Sequence, residues 1–127
     1  GIGVQQMPNS KPNPYANLNK YIKNFSILMP HLFSRKILLT RGMAGIIVFP
    51  GGIGTLDELF EAIQLKQTGR MTQKPIILIG SEHWKPLEDY LERLFKTNFV
   101  SEKDLKLFKV MDNVDEAVDY LVSVINP

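Results

Sequence analysis

The chain contains no cysteine, which excludes disulfides, thiolate nucleophiles and cysteine-held zinc. Histidine is almost as scarce: His31 and His83 stand far apart, without an H-E-x-x-H pattern, so no metal motif is present. Neither sign of charge dominates, since 15 basic residues face 13 acidic ones for a formal net charge of +2. A nucleic-acid binder that works by neutralising phosphates would show a basic stripe instead. Lys103, Lys106 and Lys109 alternate with Glu102 and Asp104 and read as a solvated face. Long apolar runs are also missing: they reach about five residues, against the ~20 that a membrane helix needs. No signal-like segment is seen. These absences lead us to expect a cytoplasmic protein that engages neither nucleic acid nor membrane.

At 127 residues the chain is long enough for one α/β domain with a real core, and residues 1–127 are expected to form it. It opens at Gly1 without an initiator methionine, and Gly1-Ile2-Gly3-Val4 reads as the middle of a strand. The expectation is therefore the C-terminal portion of a larger domain, with a sheet edge that needs cover.

What is present is a repeating strand and helix order. Residues 2–6 suggest a strand, and a loop rich in Pro, Asn and Ser runs to about residue 17, a candidate substrate-facing loop. A short strand is expected within 20–28, then a helix from Pro30 to about Arg41 with proline in its first turn. The β-branched run 45–49 predicts a strand, 55–68 a helix ended by Gly69, and the apolar run 75–80 a buried strand. A helix is expected to start at Pro86, with Leu87, Tyr90, Leu91, Leu94 and Phe95 on one face and Trp84 as a packing anchor. Ser101 is expected to cap a short helix, 108–111 to form a last strand, and Asp112 to begin a final helix. That helix would bury Val114, Ala117, Val118, Leu121, Val122 and Ile125. Strands alternating with helices imply a parallel sheet whose ligands bind beyond the carboxyl ends of its strands.

One such end carries Pro50-Gly51-Gly52-Ile53-Gly54-Thr55-Leu56-Asp57-Glu58. Glycines let the backbone turn sharply and approach a ligand closely. A helix that starts there, with Leu56, Leu59, Phe60 and Ile63 on its buried face, aims free N–H groups and its positive dipole end into the turn. The stretch reads as a phosphate cradle, though its spacing fits neither a nucleoside triphosphate loop nor a dinucleotide fingerprint. Thr55 and Glu58 also have the spacing of a capping box. The residues alone leave Glu58 open between that cap and a catalytic carboxylate.

The Pro-Gly-Gly-x-Gly-Thr-x-x-Glu pattern, preceded by Arg35-Lys36, resembles the signature of the LONELY GUY (LOG) family of nucleoside 5′-monophosphate phosphoribohydrolases, often mislabelled lysine decarboxylases. Lys11-Pro12-Asn13-Pro14-Tyr15 and Gln67-Thr68-Gly69-Arg70 resemble its longer bacterial branch, the pyrimidine/purine nucleotide 5′-monophosphate nucleosidases. The chain departs from the family in having Leu32 where Met is common, a change of similar volume, and in lacking the family's N-terminal half with its glycine-rich strand ends. The resemblance implies a Rossmann-like parallel sheet with flanking helices, here without its N-terminal strands. It implies hydrolysis of nucleoside 5′-monophosphates to free base and ribose 5-phosphate, without cofactor or metal, by a homo-oligomer of two or more subunits.

In that resemblance Glu58 and Arg35 are the catalytic pair, while Gly51, Gly52, Gly54, Thr55 and Lys36 bind the nucleotide. The chemistry suits them. Glycosidic cleavage develops positive charge on the ribose, which a carboxylate stabilises while orienting water. An arginine fork can grip a phosphate or base edge in two places. The competing roles are a surface salt bridge for Arg35 and a snorkelling side chain for Lys36. Asp57 and Glu61 suit the helix dipole whatever the function, and Tyr15 suits loop packing or base stacking. A non-catalytic nucleotide-binding module is the alternative to an enzyme. Decarboxylation would need a lysine placed for a Schiff base, and no sequence context nominates one.

Overall fold

The computed structural model describes residues 2–4, 25–27, 36, 43–71 and 74–125. They fall into two units, Gly1–Met43 and Ala44–Pro127. In the first, β1 (Ile2–Val4) and β2 (Phe25–Ile27) pair in parallel, with Ile2 opposite Phe25 and Val4 opposite Ile27. Both strands fall where expected. Lys36 is helical and half-buried, within the helix expected over 30–41. Tyr15, His31, Arg35 and the loop before residue 17 lie outside the described residues.

The second unit runs β3 (Ile46–Val48), α1 (Ile53–Gln67), β4 (Ile76–Ile79), α2 (Ser81–Lys96), a 3-10 turn (Asp104–Lys106), β5 (Lys109–Met111) and α3 (Val114–Ile125). Its three strands pair in parallel in the order β3-β4-β5, the Rossmann-like α/β arrangement expected. Every residue of β4 is buried, because a central parallel strand is covered on both faces. Right-handed crossovers place α1 and α2 on one face of a sheet built in sequence order, leaving the other to α3. There Ala117 packs with Ile77 and Ile79, and Leu121, Ile47 and Met111 close around them. Ile76 and Leu78 alternate to the opposite face, also fully buried.

Helix ends show where local signals hold. Gly69, at φ 74°, terminates α1 as expected, and the Thr68 hydroxyl donates to the Gln64 carbonyl at 2.8 Å. α2 differs: it begins at Ser81, so Pro86 lies inside it rather than starting it. The cause is remote in sequence. Gly80 has no side chain to cap the helix, and Asp112 does so from the end of β5, accepting the Ser81 amide at 2.7 Å and its hydroxyl at 3.0 Å. Asp112 therefore does not begin α3. Asn113 caps that helix instead, its Oδ1 accepting the amides of Asp115 at 2.9 Å and Glu116 at 3.3 Å. Ser101 is likewise a donor rather than a cap: its amide and hydroxyl bond the Asp104 carboxylate at 2.7 and 2.8 Å.

The buried faces are narrower than the apolar patterns suggest. On α2, Trp84 is fully buried and Leu87, Leu91 and Leu94 are half-buried, while Tyr90 and Phe95 are exposed. On α3 the inward row is Ala117, Leu121 and Val124, which leaves Val114, Val118, Val122 and Ile125 exposed. A single sheet face contacts only the central stripe of a helix. Trp84 anchors α2 as expected, and its indole N–H donates to the Ile79 carbonyl at 3.0 Å. The lysines over 103–109 serve surface contacts: Lys106 pairs with Glu102 at 2.8 Å, and the Lys109 ammonium lies 4.3 Å from the Tyr120 ring centre.

Replacing Trp84 by Phe leaves the Ile79 carbonyl without its donor and is expected to destabilise the protein by roughly 1–3 kcal/mol in chemical denaturation. A second expectation concerns pH. The Ser81 amide, followed by its hydroxyl, holds the Asp112 carboxyl below its usual pKa. The folded value lies under the unfolded one, so this stabilisation is complete above the unfolded pKa and fades as pH falls through the folded one. Asp112→Ala should lower the melting temperature by a constant margin above about pH 5, and by a shrinking margin below about pH 4.

Candidate active site

Beyond Val48 the chain leaves the sheet through Phe49 and Pro50, turns at Gly51 and Gly52 and enters α1. Around this turn lies a cleft of about 210 Å³, lined by residues 46–50 with Thr55, Glu58 and Leu59. Successive strand residues point to opposite faces, so a cleft touching all of residues 46–49 follows an edge of β3 rather than a face. Within this unit that is the edge away from β4.

α1 starts two residues earlier than expected, with Gly52 as its cap in extended conformation and therefore no cap side chain to bond its first amides. The Leu56 amide makes the first intrahelical bond, to the Gly52 carbonyl at 3.0 Å. The amides of residues 53–55 precede it and have no acceptor within the helix. Thr55 is thus the third helical residue and Glu58 the sixth, so the expected capping box does not form. Glycine at the cap position has displaced it.

The three helices of this unit begin differently. α2 has the Asp112 carboxylate at its start and Glu82 in its first turn, and α3 has the Asn113 cap with Asp115 and Glu116. The start of α1 has neither a side-chain cap nor an acid in its first turn. Thr55, in that first turn, lines the cleft.

The glycines serve two purposes. A Cβ on Gly51 would overlap the Thr55 hydroxyl and lie 2.8 Å from Thr55 Cβ, so Gly51 makes room for Thr55 to fold back over the turn. At Gly52 and Gly54, no described residue comes within 4 Å of an added Cβ, and neither has a positive φ. Neither packing nor backbone conformation demands glycine there, and inside a helix glycine costs about 1 kcal/mol relative to alanine. What the missing side chains provide is bare backbone open to a ligand.

Glu58 follows Gly54 at i+4, on the same side of α1 and about 6 Å farther along its axis. It is exposed and lines the cleft, above the fully buried Leu59. Asp57 is exposed, Glu61 is half-buried, and neither lines the cleft. Of the expected buried face of α1, Leu59 is buried, Leu56 and Ile63 are half-buried and Phe60 is 42% exposed, while Ala62 is a buried position the pattern did not single out. The structure thus gathers Gly51, Gly52, Gly54, Thr55 and Glu58 at one turn. Arg35 lies outside the described residues, and Lys36 belongs to the other unit. Of the cleft walls, Pro50 belongs to the stretch expected to cradle phosphate, while Phe49 was expected only as the end of the strand. Among the described residues no cluster of three His, Asp or Glu side chains could hold a metal, and no helix is long and apolar enough to cross a membrane.

A family model described as "Possible lysine decarboxylase" matches residues 1–121. The chain belongs to this family, the LOG family. A cytokinin riboside 5′-monophosphate phosphoribohydrolase of Mycobacterium tuberculosis is 32% identical to it over 105 residues, which cover 82% of this chain and 56% of that protein. A protein of the same name from Mycobacterium marinum is 30% identical over 87 residues, 68% of this chain and 46% of its own length. One from Arabidopsis thaliana is 29% identical over 91 residues, 71% and 42% respectively. This LOG-family chain therefore spans about half the length of the curated relatives it matches.

The two kinds of glycine are separable by stability alone. Gly51→Ala should destabilise the LOG-family chain by about 1–3 kcal/mol, as overpacking does. Gly54→Ala should leave it unchanged or stabilise it by up to about 1 kcal/mol. Urea unfolding of both variants checks this.

Proposed function

We propose that this protein hydrolyses the N-glycosidic bond of nucleoside 5′-monophosphates, releasing free base and ribose 5-phosphate. The observation that carries the reading is a helix start with glycine at its cap and no acid in its first turn, from which Thr55 and, one turn on, the Glu58 carboxylate both line the cleft. Amides without helical acceptors bind the 5′-phosphate, and Gly52 and Gly54 let it approach the backbone. The distance along α1 from these amides to Glu58 is comparable with that from a 5′-phosphate to the ribose ring. As the bond to the base breaks, Glu58 stabilises the cationic sugar and orients the water that adds to its anomeric carbon. The water's proton balances the base that leaves.

Arg35 and Lys36 enter through the family pattern, Arg35 as a partner in catalysis and Lys36 as a nucleotide contact. The reading includes a cytoplasmic homo-oligomer that needs no cofactor. It is supported by the phosphoribohydrolase activity for which this chain's relatives are named. Decarboxylation has less behind it: none of the described residues lining the cleft is a lysine. Lys66, whose pKa is lowered by burial, sits in the last turn of α1, away from the turn that opens it.

The test is to incubate the protein at its natural length with AMP, GMP, CMP and UMP and measure released base. Glu58→Gln keeps the shape and removes the charge. Turnover is expected to fall by about a hundredfold or more, with stability changed by less than about 1 kcal/mol, as for an exposed helix position. Nucleotide binding without base release would replace the enzyme with a non-catalytic binding module.

A further inference from the structure

Val48 pairs with Leu78, and Ile79 with Met111. Continued past the strand ends, this register sets Pro50, Gly80 and Asp112 in a single row across the carboxyl edge of the sheet. Pro50 opens the glycine turn, Gly80 caps α2, and Asp112 supplies that cap with its charge. The three are physically connected. Both Asp112 oxygens are engaged by Ser81, at 2.7 Å from its amide and 3.0 Å from its hydroxyl. The Gly80 amide donates to the Met111 carbonyl at 3.0 Å, so the end of β5 grips both residues at the start of α2. Gly80 adopts φ 98°, and a Cβ built on it would lie 3.4 Å from Pro50 Cγ. The proline ring thus stands beside the backbone that Asp112 holds, separated from it by the space that a side chain on Gly80 would occupy.

We propose that Asp112 is a positioning residue for the turn over residues 50–55, acting through Ser81 and Gly80 on Pro50. Its consequence for the substrate rests on the reading of that turn as a phosphate cradle. Proline fixes its own φ, so the placement of its ring sets the direction in which the chain enters Gly51. Without the carboxylate the Ser81 amide loses its acceptor, the left-handed Gly80 loses its hold, and the ring of Pro50 loses a fixed neighbour. The amides that follow are displaced, and phosphate contacts depend on their placement within a fraction of an ångström. The movement is largest at Gly51 and Gly52, ahead of α1, and Glu58 is insulated from it because the fully buried Leu59 and Ala62 hold the helix from below. The defect should therefore fall on binding rather than on the chemical step.

Two measurements test this below the melting temperature of each variant. The first needs no substrate: amide hydrogen exchange at Gly51 and Gly52 should accelerate in Asp112→Ala and return toward wild type in Asp112→Asn, which keeps an acceptor for Ser81. The second is kinetic: in Asp112→Ala, KM for AMP should rise roughly threefold to thirtyfold, the span of coupling through packed neighbours, with kcat within about twofold. Ser81→Ala removes only the hydroxyl donor and should show a milder rise. Unchanged exchange at Gly51 and Gly52 in Asp112→Ala overturns the proposal, as does a fall in kcat at constant KM. Failure of the wild-type protein to release base from any nucleotide would count against the proposed function, while the exchange measurement would still decide the coupling.

Discussion

Pairing β4 in parallel with both β3 and β5 is the constraint from which the rest of the second unit follows. A strand buried on both faces must be apolar throughout, and Ile76, Ile77, Leu78 and Ile79 meet that demand. Because all three strands point the same way, their carboxyl ends reach one edge. The Pro50 turn, the start of α2 and the Asp112 carboxylate therefore meet there. Parallel strands also require crossovers, which cover one sheet face with α1 and α2 and leave the other to α3. The cleft beside the edge of β3 is a consequence of this arrangement.

Electrostatics then distinguish the three helix starts. Amides at the start of a helix seek acceptors, and protein side chains supply them at α2 and α3. At α1 glycine, which has no side chain to offer, holds the cap position. The cost is borne locally, in an uncapped helix with glycine as its second residue, and it is offset by Leu59 and Ala62 buried beneath. A site that must accept an anion cannot also be filled by the protein's own carboxylate. The same reasoning explains why Glu58 sits one turn along the helix rather than in its first turn, where it would compete for those amides.

Much of this was legible in the sequence wherever the signal is short-ranged. The β-branched runs placed β3 and β4 within a residue of their ends, Gly69 marked the end of α1, and the strand-to-glycine transition located the cleft. The errors are of two kinds, some from a partner distant in the chain and some from a competing signal close by. Pro86 suggested a helix start because proline favours the first turn, yet α2 begins at Ser81 under a carboxylate from 31 residues away. Thr55 and Glu58 have the spacing of a capping box, but that motif requires the helix to begin after Thr55, and Gly52 begins it sooner. The apolar faces of α2 and α3 were read too wide, because a pattern records which residues could be buried and not how broad a surface meets them.

By itself, then, the sequence determined the alternation of strands and helices, the apolar core strand and a glycine turn opening a helix, along with the family to which these belong. Those are properties of neighbouring residues, governed by backbone conformation and side-chain periodicity. The tertiary structure decided which helix start is left without a cap, where Glu58 stands relative to it, and which residues share the carboxyl edge with Pro50. Each of these depends on strand register, and register is set by burying β4 between two partners rather than by any local preference along the chain.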